Sequence, residues 1–332
     1  MTFSIVALDA ATGDLAVAVQ SKFLAVGSVV PWARAGIGAI ATQSFANVAY
    51  GPDGLELLAG GASAQETLDR LVAGDELRDE RQAGIVDATG RGATFTGRGC
   101  FAWAGGRTGP GYTAQGNILA GSGVVDGLAD TFVAGGSPFP ELLVRCLAAA
   151  DAAGGDRRGR ESAALLVVRV GAGYGGGNDR WIDLRVDDHP DPITELGRLL
   201  DLQRLYLDRP DVADLRPLDA ALAAEIRRML ERLGAGPGGW TATLYRPMEP
   251  RVDSEAGEAG AGAESAGPAP ATSADRPAVG EARPLPDGWD MSWHRALVDW
   301  MGVENLEERT AALGWIDPRV LEFLRSKADS VS

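Results

Sequence analysis

Two segments decide the fold of this chain: FSIVAL at residues 3–8 and LAVAVQ at residues 15–20. Both are short apolar runs that favour β-structure. The residues between them, 9–14, include the Asp and Gly that are typical of a hairpin loop. We therefore predict that the chain begins with two antiparallel strands joined by a turn.

Further strands and helices follow in groups. A capping box from Ser63 to Glu66 predicts a helix that ends near Ala73. Hairpins grouped between helix pairs favour antiparallel sheets covered by helices over an alternating parallel fold, so the sequence predicts an α+β protein. The other predicted elements are strands over residues 36–42, 82–86, 93–96, 112–117, 163–170 and 181–186, and helices over residues 123–134 and 138–153.

The pattern changes after residue 190. Apolar residues recur at helical spacing to about residue 233, and a region rich in Ala, Gly, Pro and acidic residues follows without apolar periodicity. Asp317 followed by Pro318 predicts a helix start near the C-terminus. We predict four parts: a main domain at 1–190, a helical extension at 191–248, a disordered linker at 249–286 and a small helical module at 287–332.

Composition excludes several classes of protein. Hydrophobic residues make up 45% of the 332 residues, which indicates a globular chain. The net charge of -15 disfavours nucleic acid and anionic membranes as partners. The 2 His and 2 Cys provide few ligands for a zinc site and few residues for a catalytic Cys–His pair, so we predict no metal site. No signal peptide or membrane span is predicted, and the two isolated cysteines fit a reducing compartment, so we expect a cytoplasmic protein.

Thr2 is the first candidate catalytic residue. Removal of Met1 would leave a threonine that carries a hydroxyl and a free α-amine on one residue. The ordinary pKa of an α-amine, about 7.7 to 8.0, lets it accept the hydroxyl proton near neutral pH without a histidine. The alternative is that Thr2 is simply the second residue of an ordinary chain, although the strand that follows would hold the amine in place.

Lys22 and Asn117 are the next candidates. Lys22 follows the second strand, which the hairpin brings back toward Thr2, and its ammonium would lower the pKa of the amine and stabilise negative charge. A solvated surface lysine is the alternative. Asn117, in the segment QGN at residues 115–117, can supply N–H donors to an oxyanion, or it can simply form a turn.

Five further residues are candidates for binding or orienting a substrate. In the charged segment GDRRGRES at residues 155–162, Asp156 can orient a catalytic group and Arg158 can hold a carboxylate, although such a loop is also typical of a solvated surface. Ser4, Ser21 and Ser162 complete this group of predicted residues.

Several separated segments resemble one bacterial family, domain of unknown function 1028. They are TFSIVA at residues 2–7, VQSKF at 19–23 with VGSVVP at 26–31, QGNIL at 115–119, the loop at 155–162, and DLRVDDHP at 183–190. The resemblance covers roughly residues 1–200. Segments WMGVENLEER at 300–309 and GWID at 314–317 resemble the peptidoglycan-binding domain often attached to this family.

The resemblance carries expectations about fold and activity. The family is grouped with N-terminal nucleophile hydrolases, which implies a four-layer αββα sandwich with Thr2 as nucleophile, its amine as base, Lys22 as an electrostatic residue and Asn117 as an oxyanion donor. It also implies a homodimer. The leading hypothesis is an amidohydrolase that cleaves a C–N bond in a small amide or peptide-like substrate through an acyl-threonine, without a cofactor. The alternative is a non-catalytic scaffold whose C-terminal module recruits a glycan or protein partner.

Overall fold

The structure is a computed structural model that describes residues 2–241 and 278–331. The chain divides into two compact units, Met1–Asp201 and Leu202–Ser332. Within the described residues the strands are β1 Thr2–Leu8, β2 Leu15–Ser21, β3 Pro31–Arg34, β4 Gly38–Ser44, β5 Arg81–Asp87, β6 Gly92–Thr96, β7 Gly105–Gly109, β8 Tyr112–Asn117, β9 Ser162–Val168, β10 Arg180–Val186, β11 Arg216–Pro217 and β12 Trp315–Ile316.

The described residues also form eight α-helices. They are α1 Tyr50–Ala59, α2 Ala64–Ala73, α3 Gly123–Ala134, α4 Phe139–Ala152, α5 Pro192–Tyr206, α6 Ala220–Arg232, α7 Met291–Val303 and α8 Pro318–Ser330. The predicted mixture of antiparallel sheets and helices is confirmed, as is the helical character of the C-terminal part.

Two antiparallel sheets form the N-terminal unit. The first contains six strands in the order β10-β9-β2-β1-β8-β7, with the predicted hairpin β1–β2 at its centre. The second contains four strands in the order β3-β4-β5-β6. Every apolar side chain of β1 before Leu8 is fully buried, because β1 lies inside the sheet and is covered on both faces.

Three apolar cores hold these elements together. Alternate residues of β1 and β2, such as Phe3, Ile5 and Ala18, pack with α3, α4 and the first turns of α5. The intervening residues, such as Val17, pack between the two sheets. Helices α1 and α2 cover the other face of the four-stranded sheet, where Ile40 lies in the core. The period-2 alternation of each strand thus provides two different faces for packing.

Local sequence signals are confirmed at helix ends. The side chain of Ser63 accepts a hydrogen bond from the Glu66 amide, Glu66 bonds back to Ser63, and α2 ends at Ala73 as predicted. Asp317 caps α8, in which Pro318 is the first residue. A cap satisfies amides that have no partner inside the helix, so these short signals fix the ends reliably.

Four of the described strands were not predicted: β3, β7 and the two short strands β11 and β12, which pair with each other. β3 begins at Pro31 and lacks apolar alternation, and β7 has the sequence GGRTG, whose glycines disfavour strand structure. Both lie at sheet edges and form because β4 and β8 offer unpaired backbone groups to them. Pairing with a neighbour therefore overrides local propensity at these positions.

The C-terminal unit is built around one apolar core. Ile226 and Leu230 of α6 pack with Trp300 of α7 and with Val320 and Leu324 of α8. The sequence places these helices in the extension 191–248 and the module 287–332, and the structure packs them together. Residues 249–277 of the predicted linker lie outside the described residues. The predicted domain boundaries stay predictions.

Residues near the end of that predicted linker contact the C-terminal core. Val279 pairs with Ala311, and the indole of Trp315 donates a hydrogen bond of 2.7 Å to the carbonyl of Glu281. The guanidinium of Arg283 lies 4.8 Å from the centre of a Trp315 ring. This segment is thus part of the C-terminal unit. Among the described helices, none combines the length and the apolar character needed to cross a membrane.

Candidate active site

One row of polar side chains crosses the six-stranded sheet at one end. The strand register places Thr2 opposite Ser21 of β2 and opposite Asn117 of β8, and places Ser21 opposite Ser162 of β9. Residues directly opposite each other in an antiparallel sheet share one face. None of the four is more than 6% exposed. The fold thus brings three hydroxyls and one carboxamide together from distant parts of the sequence.

This row faces the four-stranded sheet. Val6 of β1 packs in the core between the sheets, whereas Phe3 and Ile5 pack against the helices. Because strand side chains alternate, Thr2 and Ser4 lie on the same side as Val6. The predicted site residues of β1 therefore point toward the space between the sheets.

The Thr2 hydroxyl contacts its neighbour in the row. Its Oγ1 lies 3.1 Å from Oγ of Ser21, and either hydroxyl can be the donor. The carbonyl of Thr2 accepts a hydrogen bond of 3.4 Å from Nε2 of Gln43, which comes from β4 of the other sheet. Thr2 is thereby held from both sheets, at its side chain and at its backbone.

A buried hydrogen-bond network lies beside the row. Ser4 donates to Oε1 of Gln43 at 2.6 Å and accepts from Nε2 of Gln115 at 2.7 Å. Gln43 and Asn117 both donate to Oε1 of Gln82, at 2.8 and 2.9 Å. Buried polar groups are costly unless they are paired, so this network fixes the orientation of its side chains.

Asn117 is the member of this network with a predicted catalytic role. Its Nδ2 carries two N–H groups, and one of them is engaged by Gln82. The amide of Gln82 donates to the carbonyl of Gly116 at 2.8 Å, which fixes its carbonyl as the acceptor for Asn117. The orientation of Asn117 is thus set by a neighbour whose own orientation is fixed.

Lys22 and Asp156 lie just beyond the row. The backbone N–H of Lys22 donates to Oδ2 of Asp156 at 3.0 Å, and the Lys22 ammonium lies 3.5 Å from a carboxylate oxygen of Glu161. Oδ1 of Asp156 accepts from the backbone N–H of Arg158 at 2.8 Å, and the Arg158 guanidinium lies 3.3 Å from Oδ2. Asp156 therefore ties the end of β2 to the charged loop, while the Lys22 side chain stays 42% exposed.

Ser162 completes the set of predicted residues. Its hydroxyl donates to the carbonyl of Phe23 at 2.5 Å and accepts from the N–H of Val26 at 3.1 Å. These bonds hold the loop that follows β2, so Ser162 supports the backbone next to Lys22.

The sequence predictions missed the three glutamines Gln43, Gln82 and Gln115. A signal was present, because Gln43 and Gln82 lie at the ends of otherwise apolar strands that are covered on both sides. A polar residue in a fully buried strand needs an internal partner, which marks it as part of a network. The identity of that partner depends on how the two sheets pack.

These features define an α+β protein with two facing antiparallel sheets and a buried row of hydroxyl and amide groups at one end. Residues 2–196 match the family described as "Family of unknown function (DUF1028)", and the chain belongs to this family. Residues 281–324 match the family described as "Putative peptidoglycan binding domain". Both resemblances predicted from the sequence are confirmed.

One solved structure extends this comparison. The chain is similar to protein SPO2555 from Silicibacter pomeroyi, which is described with the same DUF1028 family. The two are 30% identical with a TM-score of 0.56, and the match covers 61% of this chain and 89% of that chain. A comparison with curated proteins gives no match.

Proposed function

We propose that this protein is an N-terminal nucleophile hydrolase that cleaves a C–N bond in a small amide or peptide-like substrate. The fold supports the proposal, because α3 and α4 cover one sheet, α1 and α2 cover the other, and the sheets face each other. We interpret this order as the four-layer αββα sandwich of that class. The match to the family starts at residue 2, the position of the nucleophile in this proposal.

The observation that carries the proposal is the position of Thr2. Thr2 begins β1, is 6% exposed, and places its hydroxyl 3.1 Å from that of Ser21. Once Met1 is removed, the α-amine and the hydroxyl of one residue lie at the end of a strand held by both neighbours. A nucleophile held this way loses little entropy when it reacts.

The proposed reaction has two steps. First, the α-amine of Thr2 accepts the hydroxyl proton, Oγ1 bonds to the substrate carbonyl carbon, and the C–N bond breaks as the proton passes to the leaving nitrogen. The product is an amine and an acyl-threonine ester. In the second step a water molecule gives a proton to the same amine and attacks the ester carbon. The bond between that carbon and Oγ1 then breaks, the amine returns the proton to Oγ1, and a carboxylic acid leaves.

The surrounding residues take supporting roles in this proposal. The second N–H of Asn117 Nδ2 stabilises the negative charge on the carbonyl oxygen during both steps. Ser21 orients the Thr2 hydroxyl. The ammonium of Lys22 adds positive charge at this end of the sheet, and Asp156 holds the Lys22 backbone in place.

The alternative of a non-catalytic scaffold has one observation in its favour. The Lys22 ammonium lies against Glu161, which offsets the positive charge that the catalytic role needs. In that case the C-terminal unit, similar at residues 281–324 to a peptidoglycan-binding domain, would recruit a glycan or protein partner to an inert sandwich.

Intact-mass measurement followed by labelling with a β-lactone acylating probe separates the two functions. We expect a protein that lacks Met1 and gains one acyl group on Thr2. Thr2→Ala should not be labelled, whereas the control Thr12→Ala, in the exposed β1–β2 loop, should label like the original protein. Retained Met1, or equal labelling of Thr2→Ala, would contradict the proposed function.

A further inference from the structure

Three phenylalanines lie exposed at the surface. Phe23, Phe45 and Phe101 are 52%, 67% and 72% exposed, whereas the other five of the eight phenylalanines are buried or half-buried. A contiguous apolar patch on the surface commonly marks a binding site, so the places where these three residues attach to the fold are informative. Their backbone positions relative to Thr2 indicate which part of the molecule such a site would serve.

All three are attached to the end of the sheets where Thr2 lies. The carbonyl of Phe23 accepts from the Ser162 hydroxyl, and the carbonyl of Phe101 accepts from the N–H of Ile118 at 2.9 Å. Ser162 belongs to the row and Ile118 directly follows Asn117, so both bonds join these backbones to the Thr2 end of the sheet. Phe45 comes two residues after Gln43, which bonds to the Thr2 carbonyl.

Backbone strain is concentrated beside these residues. Ile118, Ser44 and Ala25 adopt positive φ values of 52°, 69° and 54°. Within the described residues they are three of the four non-glycine residues with positive φ, and a β-branched residue such as Ile118 is especially unfavourable there. Strain of this kind persists where surrounding contacts enforce it, which is common at functional sites.

A buried ion pair holds the Phe45 backbone. The guanidinium of Arg81 donates to the Phe45 carbonyl at 2.5 Å, and Arg81 also bonds to Asp75 at 2.8 Å. Both charged side chains are only 8% exposed. The N–H of Phe45 donates to the carbonyl of Glu80 at 3.1 Å. The backbone is therefore fixed on both sides of Phe45. Its ring is 67% exposed and has its centre 5.5 Å from the Arg81 guanidinium carbon, which suits a preorganised contact.

We propose that Phe23, Phe45 and Phe101 form an apolar specificity site for the acyl group of the substrate. This inference rests on the proposed function of Thr2. In the two-step mechanism the acyl group bonds to Oγ1 in the first step and leaves it in the second, so contacts to the acyl group stabilise both transition states. The substrate class is an amide whose acyl part carries an aromatic or branched aliphatic group.

A pair of boronic acids tests this site, because boron bonds reversibly to a nucleophilic hydroxyl. We expect 2-phenylethylboronic acid to bind about tenfold more tightly than ethylboronic acid, in line with the discrimination that an apolar pocket provides. In the combined variant Phe23→Ala, Phe45→Ala, Phe101→Ala the ratio should fall to about two, while ethylboronic acid binds as before. Tyr174→Ala is the matched control, since Tyr174 is 67% exposed in the loop between β9 and β10, at the opposite end of that sheet.

The outcomes distinguish this inference from the function on which it rests. If neither probe binds, or both bind Thr2→Ala equally well, the proposed function fails and the specificity site fails with it. If binding depends on Thr2 but the ratio is the same in the combined variant, only the specificity site is wrong. If that variant keeps its ratio and changes from dimer to monomer in sedimentation, the phenylalanines form an interface between copies, which also contradicts the inference.

Discussion

The hydroxyls of Thr2 and Ser21 lie 3.1 Å apart on the two central strands of the six-stranded sheet. The two residues are paired directly in the register of β1 and β2, so the contact follows from the hairpin itself. Ser21 is fully buried. A hydroxyl in this position can orient the Thr2 oxygen through the acylation step of the proposed reaction.

Replacement of Ser21 should therefore slow acylation. In Ser21→Ala we expect the rate of β-lactone labelling of Thr2 to fall about tenfold, the effect of one lost hydrogen bond in the transition state. Time-resolved intact mass measures that rate. The control Ser28→Ala removes an exposed hydroxyl that bonds to the Ala25 carbonyl, and should label normally. An unchanged rate in Ser21→Ala would exclude an orienting role.

Gln82 should contribute more to stability than any exposed glutamine. Its carbonyl accepts from Gln43 and Asn117, and its amide donates to the Gly116 carbonyl and to Thr96. Gln82→Leu leaves several of these groups buried without partners, so we expect the free energy of unfolding to fall by about 3 kcal/mol in urea denaturation.

The matched control is Gln65→Leu. Gln65 is exposed on α2 and bonds to Asp69, and its replacement should change the free energy of unfolding by less than about 0.5 kcal/mol. Equal effects for the two variants would show that the buried network adds little to stability.

Asp75 should make stability depend on pH under acid conditions. The hydrogen bonds from the Arg81 guanidinium hold the pKa of Asp75 well below its usual range, with additional bonds from Asn47 and Tyr50. Its folded-state pKa is thus lower than the unfolded value of about 3.9, so its contribution is present above that pH and is lost as the pH falls further.

The test is the pH dependence of the free energy of unfolding. Asp75→Asn should lower stability at pH 7 and give a shallower decline below about pH 4, because the titrating carboxylate is gone. Asp53→Asn, at an exposed position in α1, should keep the original acid decline. If Asp75→Asn keeps the full acid decline, the Arg81 pair is not its source.

Tyr50 should make stability depend on pH under alkaline conditions. Burial, reinforced by its hydrogen bond to Asp75, raises the pKa of Tyr50 above its ordinary value of about 10. The stability it contributes is present below that pH and is lost as the pH rises above it. We expect Tyr50→Phe to flatten the loss of stability above about pH 10, measured by urea denaturation across that range. A loss as steep as in the original protein would contradict this assignment.

Arg309 should stabilise the C-terminal unit alone. Its guanidinium bonds to Asp317 at 2.5 Å and to the carbonyls of Leu205 and Arg204, and the Arg309 and Asp317 side chains are 4% and 3% exposed. Arg309→Met leaves the Asp317 carboxylate buried without its ion-pair partner, at a cost of about 3 kcal/mol. Hydrogen exchange measured by mass spectrometry should become faster in α7 and α8 and stay unchanged in β1 and β2.

The control for Arg309 is an exposed ion pair in the same unit. Arg325 bonds to Glu225 at 2.7 Å, and both side chains are at least one-third exposed. Arg325→Met should leave exchange nearly unchanged, since exposed pairs contribute about 1 kcal/mol or less. Faster exchange in β1 and β2 of Arg309→Met would contradict an effect confined to the C-terminal unit.

Much of the fold was predictable from local patterns. The apolar strands β1 and β2, the capping box at Ser63 and the cap at Asp317 are all present where the sequence places them. Edge strands β3 and β7 were not predictable, because Pro31 and the glycines of β7 disfavour strands and only pairing with β4 and β8 forms them.

The candidate site was predictable only in part. Thr2, Ser21 and Asn117 share a row because the hairpin and strand β8 bring them into register, and sequence reasoning identified all three. Sequence reasoning did not identify Gln43 and Gln82, because they belong to the other sheet. Their bonds to Thr2 and Asn117 exist only once the two sheets face each other.

The sequence by itself therefore determined the central strands β1 and β2, the capped helix ends, the family and the position of the candidate nucleophile, since each depends on neighbours along the chain. Tertiary structure alone decided which polar side chains contact that residue and its neighbour Asn117, and which phenylalanines remain exposed at the same end of the sheets. The physical reason is that hydrogen bonds and burial depend on contacts between distant segments, and sheet packing creates those contacts.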